Sequence, residues 1–347
     1  MPRSLAATVA ALLIAVATVV ASTPASAVAP PRERVLVQVR DGDPTAAATD
    51  LAARHGGRVS HVYRHAVSGF AMELPSLAVT ALRSDPRVVA VEPDLPVWMF
   101  GEVPTGVARA AITSNAVADI DGVDERVDVD IAVLDSGIDS THPDLNVAGG
   151  VDCTLGTCVV MAAPLDVNGH GTHVAGTAAA LDDGRGVVGA APGARLWSVQ
   201  VLDATGGASL SAVIAGLDWV AKHAATIEVA NASFGCACRS DTLELAVSGV
   251  TDSGVVLVAA AGNDPQDIDG YSLTAHPDVI TVSAMADLDG KPGAATSGTC
   301  HDQTDDTFAS FSSFGDAVDL AAPGVCIVST WPLGGYARMS GTSMAAP

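Results

Sequence analysis

Residues 131–137 read Ile131-Ala132-Val133-Leu134-Asp135-Ser136-Gly137, an unbroken apolar run of strand length that stops on a carboxylate and a turn. A run apolar on both faces belongs to a sheet that is covered on both faces. Downstream the same grain repeats: strands are expected at 131–134, 196–202, 227–230, 255–260 and 279–284, and helices at 173–181, 210–223 and 241–251. Buried strands alternating with helices define an α/β domain, a parallel sheet with helices on both faces. In such sheets the chemistry sits beyond the carboxyl ends of the strands, which is where Asp135 falls.

Upstream the pattern differs. A strand at 35–39, a helix at 45–54, strands at 57–62 and 69–74, a helix at 76–83 and a strand at 88–91 give the order βαββαβ, a small α+β unit of the ferredoxin-like kind. Residues 93–106 contain Pro96, Trp98, Phe100 and Pro104 and are expected to be an extended connector, because proline continues neither helix nor ladder. The first 27 residues have Arg3, an apolar run over 6–21 and Ala25-Ser26-Ala27, the layout of a cleaved signal peptide. A short membrane anchor is the alternative, although the run falls short of a bilayer span.

A length of 347 residues allows about two domains. With 16% charged and 49% hydrophobic residues the chain is neither disordered nor fibrous. Against 39 acidic residues stand 17 basic ones, and a net charge of −22 repels phosphate backbones, which excludes a nucleic-acid partner while suiting cations. Six cysteines agree with an oxidising compartment but allow 15 connectivities. Cys300 with Cys326 could close a loop and strand, and Cys153 with Cys158 a short loop. Cys236 and Cys238 are close enough in sequence that pairing elsewhere is expected.

Three strand or helix ends carry candidate chemistry. Asp135 closes its strand, although Asp before Ser-Gly also makes turns. Asn168-Gly169-His170-Gly171-Thr172-His173-Val174-Ala175-Gly176-Thr177 sets a histidine between glycines at a helix start. Two histidines three apart also suit a metal, but the HExxH pattern of a zinc site is missing. Ser340-Gly341-Thr342-Ser343-Met344-Ala345-Ala346-Pro347 surrounds Ser343 with small residues, which expose a hydroxyl, though serine there can be a plain helix cap.

Together these segments resemble the subtilisin-like serine proteases, or subtilases, from about residue 106 to the end, in the order Asp, His, Ser. The α/β-hydrolases fit less well, since Gly341-Thr342-Ser343-Met344-Ala345 has alanine where the nucleophile elbow needs its second glycine. The resemblance implies Ser343 as nucleophile, His170 as general base and then acid, and Asp135 as the group that orients the imidazole. Val258-Ala259-Ala260-Ala261-Gly262-Asn263 looks like the family's oxyanion strand, with the Asn263 amide as donor; the plainer reading is a turn. Ala232-Ser233-Phe234-Gly235 matches the segment that pairs with extended substrate, so Ser233, Phe234 and Gly235 are candidate binding residues. Leu210, Val213 and Phe234 fall where the family builds an apolar pocket, and would equally serve as core.

Residues 35–94 are similar to the family's propeptide, an inhibitor and folding chaperone, on strand order and on Ser68-Gly69-Phe70 and Val91-Glu92-Pro93-Asp94. The implied division is a signal peptide at 1–27, a propeptide at 28–103 and a catalytic domain at 104–347, with self-cleavage between about 96 and 107. His142-Pro143-Asp144-Leu145 and Leu181-Asp182-Asp183-Gly184 resemble pieces that hold calcium in several subtilases, with Asp144 and Asp183 as ligands; solvated surface acids are the alternative.

The expectation is a secreted, extracellular serine endopeptidase, made as a self-processing zymogen and acting on protein or peptide substrates. Its own propeptide is the intramolecular inhibitor, catalysis needs no cofactor, structural calcium is open, and the molecule is a monomer with no nucleic-acid partner and no membrane partner after signal removal. One rival is an inactive protease-like secreted binding protein. Another is a metal-dependent hydrolase built on Asp135, His170 and His173, which leaves Ser343 and Asn263 unexplained. In the family the nucleophile starts a long buried helix, whereas here four residues follow Ser343. The further expectation is an incomplete copy of a longer protein, unstable and nearly inactive as it stands.

Overall fold

Asp43 opens the first helix by accepting the Thr45 amide at 2.9 Å, Pro44 occupies the first turn, and Gly56 at φ 64° ends it. The protein is described by a computed structural model covering residues 31–40, 42–99, 108–110, 112, 115–155, 157–162, 164–293, 299–300 and 302–347. The expected signal peptide and most of the expected cleavage region, residues 100–107, lie outside the described residues. The chain begins β1 (Arg32–Val39), α1 (Pro44–His55), β2 (Arg58–Tyr63), β3 (Gly69–Pro75), α2 (Val79–Arg83) and β4 (Val88–Pro93). A single 3-10 turn, Ser76–Ala78, replaces the first turn of the helix expected at 76–83. The antiparallel sheet has the order β2-β3-β1-β4, the split-βαβ arrangement, around its own core of Val37, Leu51, Phe70, Leu74 and Leu82.

There follow β5 (Pro96–Met99), β6 (Asp130–Asp135), β7 (Val147–Asp152), β8 (Val159–Met161), α3 (His170–Ala179), β9 (Arg195–Gln200), β10 (Gly207–Ser209), α4 (Leu210–Lys222), β11 (Val229–Ala232), β12 (Phe234–Gly235), α5 (Asp241–Asp252), β13 (Val256–Ala260) and β14 (Val279–Ala286). The chain continues through β15 (Thr299–Cys300), β16 (Gln303–Thr304), β17 (Thr307–Phe308), β18 (Leu320–Pro323), β19 (Ile327–Trp331), β20 (Gly335–Met339) and α6 (Thr342–Ala345). Among the described residues nine strands form the main sheet, in the order β17-β14-β13-β11-β6-β9-β7-β8, with β18 also on β14. Its interior pairings are parallel and only β17 and β8, at the margins, run antiparallel. Every residue of β6 is buried, as its apolar run requires. Helix α3 begins at His170, three residues earlier than expected, because Gly169 at φ 104° makes the entry turn.

Residues 96–99 overturn the expectation of an unpaired connector. β5 lies between β10 and β12 in a three-stranded antiparallel sheet, with Ala208 opposite Val97 and Phe234 opposite Met99. Pro96 is tolerated because it is the first residue of the strand, where a missing N–H costs the ladder least.

The N-terminal unit docks on α4 and α5 through carboxylates at helix starts. Asp94 accepts the Ser211 amide (2.7 Å) and hydroxyl (2.6 Å) and pairs with Arg34 at 2.9 Å, while Glu92 accepts the Thr242 amide. In return Asp218 accepts the backbone amides of Arg64 (2.9 Å), His65 and Ala66 (2.7 Å). The Tyr63 hydroxyl donates to the Ser211 carbonyl at 2.9 Å, and His61 Nε2 lies 2.8 Å from the Cys153 carbonyl oxygen. Of these, the Asp94 and Glu92 contacts place anionic groups against positive helix ends.

The cysteines meet as Cys153–Cys158, Cys236–Cys238 and Cys300–Cys326. The second pairing corrects the expectation that these two would seek other partners. A bend at Ala237, just past β12, brings their Cα atoms to 5.1 Å.

Candidate active site

The carboxyl end of β6 and the start of α3 bring Asp135 and His170 together. Both are fully buried, and His170 Nδ1 lies 2.8 Å and 2.9 Å from the two Asp135 oxygens. The Ser136 amide donates to Asp135 Oδ1 at 2.7 Å and holds the carboxylate in place. Gly171 allows this approach, since a Cβ there would collide with the Gly137 carbonyl and crowd Asp135. An ionised carboxylate accepting at Nδ1 fixes the proton there and leaves Nε2 as the basic nitrogen.

Ser343 enters on α6, which packs against α3. Its hydroxyl donates to the Ser233 carbonyl (3.0 Å), its own carbonyl accepts the Ser233 hydroxyl (2.9 Å), and Ser233 Oγ also accepts from Asn231 Nδ2 at 2.9 Å. The segment Ser233–Phe234–Gly235 thus joins the nucleophile candidate on one side and pairs β12 with β5 on the other.

Asn263 follows β13. Its Oδ1 accepts the Thr342 amide at 2.8 Å and the Thr342 hydroxyl at 3.0 Å, and that hydroxyl in turn accepts the Gly262 amide at 3.0 Å. Among the described residues no acceptor reaches Asn263 Nδ2, so its N–H groups are left for something that binds beside Ser343.

Other expectations are placed less simply. Leu210, Val213 and Phe234 are at most 1% exposed and belong to the main core, against which Leu95 packs. His173 lies by the backbone of Ile327 and Ala337; burial, then the neighbouring His170, pushes it down to about 3. Among the described residues Asp135, His170 and His173 form no group of converging metal ligands. Asp144 Oδ2 accepts the Val187 amide and the Tyr336 hydroxyl, both at 3.1 Å, and burial raises its carboxyl above the usual range. Asp183 accepts the Arg185 amide at 3.0 Å. Among the described residues the acidic group whose ligand atoms converge is Asp287, Asp289 and Asp305, which sequence reasoning missed because Asp305 lies 16 residues beyond the turn that holds the other two. There Arg109 already pairs with Asp287 at 2.7 Å and with Asp306.

The molecule thus joins a parallel α/β sheet, with the Asp135–His170 pair at a strand end and Ser343 on the adjoining helix, to a small α+β unit docked on α4 and α5, which is a two-part α/β architecture with a candidate Ser–His–Asp site. The family models agree: residues 127–347 match the subtilase family and residues 34–99 the peptidase inhibitor I9 domain. The chain belongs to the subtilase family. It is 40% identical to an alkaline protease of Alkalihalobacillus alcalophilus over 80% of this chain and 65% of that protein. With subtilisin NAT of Bacillus subtilis subsp. natto it shares 36% identity over 86% of this chain and 72% of the relative. Fervidolysin from Fervidobacterium pennivorans, described as a keratinolytic enzyme related to subtilisin, superposes with a TM-score of 0.70 at 26% identity, over 92% of this chain and 53% of its own. The chain thus spans just under two thirds of the alkaline protease's length.

Proposed function

We propose that this chain is the precursor of a secreted serine endopeptidase that processes itself. The observation that carries the reading is the Asp135–His170 pair together with a Ser343 whose neighbour Asn263 has, among the described residues, no acceptor for its amide protons. In this scheme His170 Nε2 takes the proton of Ser343 Oγ as that oxygen attacks the scissile carbonyl. Asn263 Nδ2 and the Ser343 amide then bind the oxyanion. His170 passes its proton to the leaving amine, water hydrolyses the acyl-enzyme by the same route in reverse, and Asp135 stabilises the imidazolium throughout.

Substrate would lie between β10 and β12 as a third strand, where β5 lies now, so the backbone supplies affinity for peptides of many sequences. Leu210, Val213 and Phe234 would form the floor under its more N-terminal residues. The proposed domains are a signal peptide at 1–27, a propeptide at 28–103 and a catalytic domain from 104, with the cut between about 96 and 107. Export agrees with three cysteine pairs, proposed as disulfides, and no helix among the described residues is long and apolar enough to cross a membrane.

No step of this scheme uses a metal. A structural calcium ion at Asp144 and Asp183 would have to compete with the Val187 and Tyr336 hydrogen bonds, so chelation that leaves the thermal half-life unchanged removes it. The function is tested by a casein zymogram of the wild type beside Ser343→Ala, with a fluorophosphonate as label. Clearing and labelling that survive the substitution would overturn the proposal.

A further inference from the structure

Asp166 is an acidic residue only 6% exposed. A buried carboxylate is costly unless every lone pair is used, and this one is used fully by neutral donors. Oδ1 accepts the Ser136 hydroxyl (3.0 Å), the Asn168 amide (3.0 Å) and the Gly169 amide (2.8 Å), while Oδ2 accepts the Thr172 amide (2.8 Å) and hydroxyl (2.7 Å). Among the described residues none of its partners is a lysine or arginine, so there the group is not half of an ion pair.

The donors fall into two sets. Gly169 and Thr172 flank His170 at the start of α3, where Gly169, the N-cap, has no side chain to cap with. Asp166 supplies the missing capping oxygens from three residues upstream, at the positive end of the helix. Ser136 belongs to the turn after β6. Its amide holds Asp135 Oδ1 at 2.7 Å, and its hydroxyl accepts the Gly171 amide at 3.1 Å while donating to Asp166. A second strap runs through Thr172, whose hydroxyl accepts the Asp139 amide at 3.0 Å as it donates to Asp166. Moving the turn that carries Asp135 relative to the helix that carries His170 therefore breaks bonds to Asp166.

We infer that Asp166 is a positioning residue that sets the distance and angle between Asp135 and His170. The inference rests on the protease reading for its kinetic consequence, but not for its structural one. It touches no reacting atom, and its effect is exerted through the hydrogen bond at His170 Nδ1.

Asp166→Asn keeps the shape and replaces one acceptor oxygen by an N–H donor facing other donors. The expected result is a kcat, per serine titrated with fluorophosphonate on the processed enzyme, lowered about 100-fold, with KM within about twofold. Ser136→Ala removes one of the five hydrogen bonds and should give a smaller, severalfold loss of the same type. In proton NMR the deshielded His170 Nδ1 proton should move upfield or broaden in both variants. A structural residue would reduce the titratable fraction while leaving kcat per titrated serine and the proton resonance as in wild type, and that result overturns the inference. If Asp166→Asn does not fold, Ser136→Ala decides by the same two readouts. Wild type that fails to cleave casein sinks the protease reading, and the proton resonance, which needs no turnover, still judges Asp166.

Discussion

Thr342 leaves the Asn263 side chain one orientation. The Thr342 amide can only donate, so Asn263 must present oxygen to it, and the Thr342 hydroxyl, which accepts the Gly262 amide, donates to the same oxygen and leaves the nitrogen turned outward. Loss of one such donor has cost about 10²–10³ in kcat in a subtilisin, and Asn263→Ala is expected to fall in that range, with KM little changed, in steady-state assays on a peptide substrate. Ser343→Ala should abolish self-processing, because in the proposed scheme the same nucleophile would cut the chain between about residues 96 and 107. Mass spectrometry showing the variant cut at the wild-type position, in a host without other proteases, would refute it. Asp135, His170, Ser343 and Asn263 were named from the order of their motifs, which resembles the subtilases, since each alone reads equally as a turn, a cap or a metal ligand. Asp166 was not, since an aspartate shortly before Asn-Gly reads as a turn residue until residues 136, 169 and 172 are seen to converge on it.

Among the elements, the buried strands and the long helices followed from apolar runs, and their ends shifted by a few residues only. β5 was illegible because its partners, β10 and β12, lie more than 100 residues away and proline argued against a ladder. The same distance hid the roles of Glu92 and Asp94 at the starts of α5 and α4. Removing the Asp94 carboxylate leaves the Ser211 amide and hydroxyl without this acceptor, a loss of about 1–2 kcal/mol for a capping interaction. After cleavage Asp94→Ala should therefore release the N-terminal unit roughly 5–30 times faster than wild type, as followed by recovery of proteolysis. Equal rates would deny the cap any part in docking. The cysteine pairs separate by loop length: Cys300–Cys326 spans 26 residues, against 5 and 2 for the others. In the chain-entropy view the long loop is worth roughly 3–4 kcal/mol, so Cys300→Ser with Cys326→Ser should lower denaturant stability by about that much. Cys236→Ser with Cys238→Ser should cost clearly less.

For the whole molecule the question is when the docked unit lets go. Its interface with the larger domain contains His61, buried, with Nε2 on the Cys153 carbonyl oxygen. Burial holds its pKa below the usual 6.5, against the smaller opposing pulls of the Cys153 hydrogen bond and of Asp94. Once released the ring regains an ordinary value of about 6.5. The free state therefore binds more protons than the docked state as pH falls below about 6.5, and linkage makes docking weaker in that direction, by at most about tenfold per pH unit for one histidine. Glu92 acts with the opposite sign, because burial raises its carboxyl and docking then takes up a proton, but its window lies near and above 4.5. Acidification also reduces the repulsion within a chain of net charge −22, which again favours docking. His61→Gln separates these effects, since an amide can keep the hydrogen bond to Cys153 and cannot titrate. Release after cleavage, followed by size-exclusion chromatography, should speed up between pH 7.5 and 5.5 in wild type and stay flat or slow down in His61→Gln. The same acceleration in both proteins would show that His61 does not govern it.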